Sequence, residues 1–282
     1  MKCKGQCLAE VEKILKLHSG KIAAAIIEPM IQAAAGFLTM PPGYLKGFEQ
    51  LVRRYGVLFI CDEVATGFGR TGKMFAVEHE KVRPDLMCLS KAITGGYLPL
   101  AVTLTTEEIY RAFLGKYEDF KTFFHGHTYT ANPLGCAAAL ANLEIFRKKK
   151  VLERMPPQLG RLARELETLK ELPLVGEIRR IGFMTGIELV RNKQTGEEFP
   201  ASLKIGARVC AACRTKGLLI RPLGDVVTFL PPLGITERQI GDMVSILRDV
   251  LLTQFLSYAA SGNRPRKKEK LCASLSRSVP TF

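Results

Sequence analysis

Along the first 150 residues, short unbroken apolar runs alternate with amphipathic stretches. Leu8, Val11, Ile14, Leu15 and Leu17 recur at helical spacing. "KIAAAIIEP" then stops at Glu28 and Pro29, a strand with a breaker behind it. "GYLKGFEQLVRRYG" has the pattern of an amphipathic helix closed by Gly56. "VLFICDE" and "PDLMCLSKAITGG" predict two more buried strands, which run into Asp62 and stop at Lys91. "TTEEIYRAFL" carries the threonines and early carboxylates of a helix start. "KTFFHGHTYTANPLGCAAALANLEIF" predicts a strand and a loop feeding a helix of small residues. Near-continuous apolar strands separated by helices predict a parallel sheet covered on both faces, an α/β fold.

The character changes near residue 150. A charged helix over 150–170 precedes "EIRRIGFMTGIELV", a helix over 203–216, and the short strands "GLLIRP" and "VVTFLPP". A last helix follows over roughly 236–256. Short strands mixed with helices predict a smaller α+β domain. The expected division is therefore 1–149, 150–258 and a basic tail, 259–282, with no internal repeat.

Composition narrows the function classes. The chain has 282 residues, 47% of them hydrophobic, enough for two domains. No apolar run approaches the roughly 20 residues of a membrane helix, and "MKCKGQCLAEVEK" has no apolar core of signal-peptide length. A cytoplasmic protein is expected, with no membrane partner. Net charge is +14. Six basic residues against Glu269 place +5 of it in the tail 263–282 and leave +9 in the body. Those body charges are spread over helices, without a basic stripe interleaved with aromatics, so nucleic acid is not the expected partner. An anionic small ligand suits a basic body equally well. The tail is polar and irregular, which favours disorder. Cys210-x-x-Cys213 has metal or redox spacing, yet it falls in a helical pattern with no second pair or His at ligand distance. Buried packing is the expected role. Cys3 and Cys7 belong to an expected frayed terminus.

Glu28, Asp62 and Lys91 each stand at the end of a predicted strand. In open α/β sheets ligands bind beyond the carboxyl ends of strands, so the three should gather along one edge. A structural ion pair between Asp62 and Lys91 is an equally simple reading of those two alone. The loops add weight to a ligand. "TGFGRTGK" and "KAITGG" let backbone approach closely, and "HGHT" precedes a helix start, where free N–H groups favour an anion such as phosphate. Lysine, carboxylate and phosphate cradle together describe a pyridoxal phosphate site. Lys91 would form the Schiff base, Asp62 would meet the pyridine nitrogen and Thr128 would hold the phosphate. A nucleotide loop is the rival, but no G-x-G-x-x-G run follows the first strand.

"EPMIQAAAGFLTMPPGYL", "FICDEVATGFGRTGKMFAVEHE", "PDLMCLSKAITGGYLPLAVTLTT", "FFHGHTYTANPLGCAAALANLEIF" and "LLIRPLGDVVTFLPP" resemble the class III pyridoxal-phosphate aminotransferases, in order and spacing, over roughly residues 8–258. The resemblance implies the aspartate-aminotransferase-like fold, with a partial large domain and a small C-terminal domain. Ala65, where relatives acting on ornithine or 4-aminobutyrate usually carry Gln, points to the branch serving biotin synthesis. The implied substrates are 8-amino-7-oxononanoate and an amino donor, S-adenosylmethionine or lysine. Another ω-amino-acid or diamine aminotransferase, or an inactive remnant, stands as the alternative. By the same resemblance Lys91 carries pyridoxal 5'-phosphate and moves the proton, Asp62 pairs with the ring nitrogen, and Val64 packs on the ring. His127 and Thr128 serve the phosphate of the neighbouring subunit of a homodimer, Gly126 lines the substrate channel, and Arg221 binds the keto-acid carboxylate. Glu28 and Gln32 match positions near the cofactor. The family carries a long segment ahead of "IIEP", whereas 27 residues precede Glu28 here. A C-terminal portion of the enzyme, weakly active alone, is the expectation.

Overall fold

A computed structural model describes residues 6–259. The expectations for Cys3 and for the tail beyond Ala259 lie outside the described residues. Two compact units divide the chain: residues up to Ala33 with Thr39–Pro156, and Ala34–Leu38 with the chain from Pro157 onward.

In the first unit, α1 (Gln6–Leu17) precedes β1 (Ala24–Ile27), and α2 (Tyr44–Arg54) precedes β4 (Leu58–Asp62). Between them, β2 (Ile31–Gln32) and β3 (Leu38–Thr39) form a two-stranded ribbon. β5 (Leu86–Leu89), β6 (Val102–Thr105), α3 (Glu107–Ala112) and α4 (Pro133–Lys148) follow. The sheet order is β1-β4-β5-β6. β1, β4 and β5 are parallel, and β6 runs antiparallel to β5. α2 stops where the sequence says it should, with Gly56 at φ 66° donating to Arg53 O.

Side-chain alternation sets the two faces of this sheet. Phe59 and Cys61 of β4 are fully buried against Leu45, Phe48, Leu51 and Val52 of α2. Burying one such side chain contributes about 1.5–3 kcal/mol. Leu58, Ile60 and Asp62 point the other way. That opposite face is open among the described residues, with Ile26 63% and Leu58 41% exposed. The expected cover on both faces is therefore present on one.

Two local expectations are corrected. "KTFF" forms no strand: Phe123 and Phe124 lie in an exposed loop, and Phe123 packs on Phe113 with ring centroids 5.0 Å apart. Beside it, "VTLT" does form a strand, β6. It pairs with β5 from Leu86↔Thr105 to Leu89↔Val102, although its threonines resemble the helix cap that follows.

The second unit is built on an antiparallel sheet, β7-β8-β10-β9, from β7 (Val175–Ile181), β8 (Met184–Leu189), β9 (Arg221–Leu223) and β10 (Val226–Phe229). α5 (Val151–Leu169) leads into it, and the division between units falls at the consecutive prolines Pro156 and Pro157, which remove two helical N–H donors. α6 (Ile205–Thr215) and α7 (Glu237–Val250) complete the unit, and α7 continues as a π-helical turn, Leu251–Phe255. A Thr236–Gln239 capping box starts α7. Cys210 and Cys213 are buried on α6, and burial pushes their thiols up to about 12 and about 11. Neutral, buried thiols of this kind are packing groups. Arg179, itself buried, donates to Gly36 O through Nε (3.1 Å) and Nη2 (2.9 Å), and Nη1 pairs with Glu177 and Glu188. Among the described residues, no helix is long and apolar enough to cross a membrane.

Candidate active site

The sheet edge expected to bind a ligand exists. Glu28 follows β1, Asp62 ends β4, and Lys91 lies two residues beyond the end of β5. Pairing in register, Ile27↔Cys61 and Asp62↔Cys88, sets these strand ends side by side. Asp62 is half-buried, and its Oδ1 accepts the Val64 N–H at 3.0 Å. That bond fixes the carboxylate at the mouth of the β4 turn and leaves Oδ2 open. Cys88, level with Asp62, has its thiol pushed up by burial and then by the Asp62 charge. The Asp62 carboxylate thus faces a neutral thiol on the neighbouring strand.

Lys91 opens a 3-10 turn, Lys91–Thr94, with φ at +46°. A lysine in the left-handed region is strained by about 1–3 kcal/mol and persists only when the surroundings hold it. They do. The Ser90 hydroxyl donates to Leu100 O at 2.8 Å and the Thr94 hydroxyl to Leu98 O at 2.6 Å. From α4, Asn142 Nδ2 donates to Ala92 O at 2.9 Å and to Ile93 O at 3.0 Å. The Lys91 side chain is exposed, and among the described residues no ion pair joins it to Asp62. The structural ion-pair reading loses its main support, and both groups remain available to a ligand.

Glu63, the residue after Asp62, has a different use, which its sequence position beside a second carboxylate does not reveal. It is fully buried, accepting from the Thr66 hydroxyl at 2.5 Å and the Val77 N–H at 2.8 Å. Burial nevertheless pushes its carboxyl above the usual range. It ties the glycine-rich loop to the 3-10 turn Ala76–His79. The glycines of that loop also serve the fold. A Cβ on Gly67 would stand 2.9 Å from Glu63 O, so close packing within the loop already explains the glycine.

Gly126, His127 and Thr128 lie in the exposed loop ahead of α4. His127 N–H donates to Thr130 Oγ1 (2.8 Å), and His127 Nδ1 accepts from Tyr129 N–H (3.1 Å). α4 begins only at Pro133, and Asn132 caps it by accepting from Gly135 N–H at 2.7 Å. Thr128 is thus five residues short of the helix, and the helix end already has its cap, so the helix-terminus argument for phosphate falls away. Any anion here must be met by the loop itself. Arg221 belongs to the second unit, where it opens β9 with an exposed side chain, and its carbonyl accepts the Thr228 hydroxyl at 2.9 Å.

A strained, exposed lysine and a carboxylate with one oxygen unpaired among the described residues thus stand at adjacent strand ends, and the wider chain matches a family of known chemistry. The Aminotransferase class-III family model matches residues 2–251, and the chain belongs to this family, whose cofactor is pyridoxal 5'-phosphate. The adenosylmethionine-8-amino-7-oxononanoate aminotransferase of Anoxybacillus flavithermus is 52% identical over 88% of this chain and 54% of its own length. Its namesake from Aquifex aeolicus is 51% identical over 87% of this chain and 54% of its own. The crystal structure of the protein of that name from Methanocaldococcus jannaschii aligns with a TM-score of 0.86 at 46% identity, over 88% of this chain and 57% of that one. An omega transaminase from Pseudomonas jessenii in complex with PMP aligns at 0.84 with 31% identity, over 90% and 57%. The chain spans about half the length of the curated relatives it matches.

Proposed function

We propose that this chain carries part of the active site of a biotin-pathway aminotransferase, which moves an amino group onto 8-amino-7-oxononanoate to give 7,8-diaminononanoate. The observation that carries the reading is the identity of 52% and 51% to relatives of that name, against 31% to the omega transaminase of Pseudomonas jessenii. S-adenosylmethionine is the donor in this reading, with lysine as its competitor.

The residues present fit the cofactor. Lys91 presents an exposed amine on a held, strained turn, suited to covalent attachment and then to carrying a proton at the reacting carbon. Asp62, fixed through Oδ1, offers Oδ2 to a ring N–H and keeps that proton in place. Val64 follows on the turn and would pack against the ring when the cofactor is bound. When bound, pyridoxal 5'-phosphate supplies the sink for the electron pair released as the substrate C–H bond breaks. His127 and Thr128 offer polar groups to a phosphate, and Gly126 leaves room for the substrate. Arg221 meets a carboxylate with a planar fork, which lysine cannot do.

A homodimer accompanies this reading. Phe120, Phe124 and Tyr129 are each at least 74% exposed around the Gly126–Thr128 loop, a surface suited to a second copy. The test is turnover of 8-amino-7-oxononanoate by the full chain with each donor. Preferred turnover of an ω-amino acid or diamine would overturn the substrate, and a loaded but inert protein would mark a remnant.

A further inference from the structure

Lys91 needs an outside hold, and two of the four side-chain hydrogen bonds that supply it come from α4. Gly135, Ala139, Asn142 and Phe146 repeat at helical spacing along one side of this helix, while Leu134, Leu140 and Ile145 are exposed on other sides. Gly135 and Ala139 are buried, Ala139 against Leu89 and Ile93, and Phe146 packs on the same cluster. Small residues let the helix axis approach the Lys91–Thr94 turn. At that point stands Asn142, a polar residue on an otherwise apolar stripe.

Its amide answers a specific need. In a 3-10 turn the carbonyls at the closing end lack regular helical partners. Ala92 O accepts one turn bond, from Gly95 N–H at 3.0 Å, and Asn142 Nδ2 gives it a second at 2.9 Å. Ile93 O accepts from Asn142 Nδ2 at 3.0 Å. The far side of the amide is also enclosed, since a Cβ on Gly95, itself at φ +63°, would stand 3.2 Å from Asn142 Oδ1. A leucine at 142 would fill similar space and leave Ile93 O without this partner.

We propose that Asn142 is a positioning residue for Lys91: from α4 it holds the 3-10 turn that Lys91 opens in a left-handed conformation, and so presets the amine for cofactor attachment and proton transfer. The proposal rests on Lys91 being the attachment lysine, and it adds a residue that acts through the backbone of the turn. It also ties the lysine to the helix that follows directly from the Gly126–Thr128 loop.

Asn142→Ala and Asn142→Leu, in the full chain, test it by two readouts besides turnover. The first is hydrogen exchange of the segment 90–97 without cofactor, where Gly95 N–H reports the turn. The second is the rate at which the visible band develops when pyridoxal 5'-phosphate is added, with borohydride trapping and peptide mapping to locate the modified lysine. Loss of two neutral hydrogen bonds predicts exchange faster by about ten- to a hundredfold in that segment and attachment slowed at least about tenfold. Asn142→Gln should recover part of both, because its amide retains the donors. Label on Lys91 with unchanged exchange and unchanged attachment rate would overturn the role of Asn142 alone. Label on another lysine would overturn the assignment of Lys91 and the proposal with it. If Asn142→Leu fails to fold, Asn142→Ala and Asn142→Gln carry the same readouts, and wild-type values in the alanine variant contradict the proposal.

Discussion

The two units treat their sheets in opposite ways. In the second, β8 lies between β7 and β10 with Met184 and Ile187 fully buried, and Val227, Phe229 and Leu247 extend the same core. In the first, α1 and α2 cover one face of β1 and β4, and Ile26 and Leu58 stand open on the other. Asp62 belongs to that open face, as its alternation with Phe59 and Cys61 requires. The carboxylate proposed to meet the cofactor therefore lies where apolar surface is still open. Burial separates two neighbouring carboxylates of the first unit: Glu63 is sealed and structural, while Asp62 next to it is open to a ligand. In the second unit, Arg221 opens β9 with an exposed side chain at the rim of a filled sheet.

If that contrast is correct, substitutions in the first unit's site change chemistry and leave stability nearly untouched, whereas buried polar substitutions do the reverse. The largest effect is expected from Asp62→Asn. The amide can still accept the Val64 N–H, so stability should stay within about 0.5 kcal/mol, while turnover falls at least about a hundredfold for want of a charge beside the ring nitrogen. Near-normal turnover would break the contrast at its chemical end. Arg179→Ala should follow. It removes both bonds to Gly36 O and leaves Glu188 without its buried partner, at a cost of about 2–3 kcal/mol, read by urea denaturation of the second unit.

Arg221→Ala comes next. Because the guanidinium is exposed, its charge is screened by water, and a loss of about tenfold in kcat/KM for the keto acid is expected. The half-reaction of the amino donor should be spared, and equal damage to both would assign Arg221 a structural role. Glu63→Gln should be the mildest, at about 1 kcal/mol, since the amide oxygen still accepts the Val77 N–H and the Thr66 hydroxyl can turn. It carries a sign test as well. The folded carboxyl titrates above its unfolded counterpart, so its stabilisation is full below the unfolded pKa and is lost as pH rises through the folded one. Thermal stability of the wild type should decline over that interval, and Glu63→Gln should flatten the decline.

Much of this was legible in the residues. Apolar runs gave β1, β4 and β5, the Gly56 stop gave the end of α2, and strand ends gave Asp62 and Lys91 on one edge. Strand β6 was obscured because threonine suits both a strand and the cap of the helix behind it. "KTFF" looked like a strand because aromatic residues favour one, but a strand also needs a partner edge, and sequence alone does not supply it. The hold on Lys91 was hidden for a related reason. Asn142 is 51 residues away, and its only local sign was a polar residue on a small-residue stripe. Glycines in "TGFGRTGK" suggested ligand approach, and Gly67 turned out to serve the loop's own packing against Glu63 O.

The central claim is that Lys91 carries the cofactor. Pyridoxal 5'-phosphate added to the full chain, reduced with borohydride and mapped by mass spectrometry, tests it directly. Modification concentrated on Lys91, and abolished there in Lys91→Ala without appearing at another single lysine, is the expected result. Modification spread over surface lysines, or concentrated on any lysine but Lys91, would contradict it.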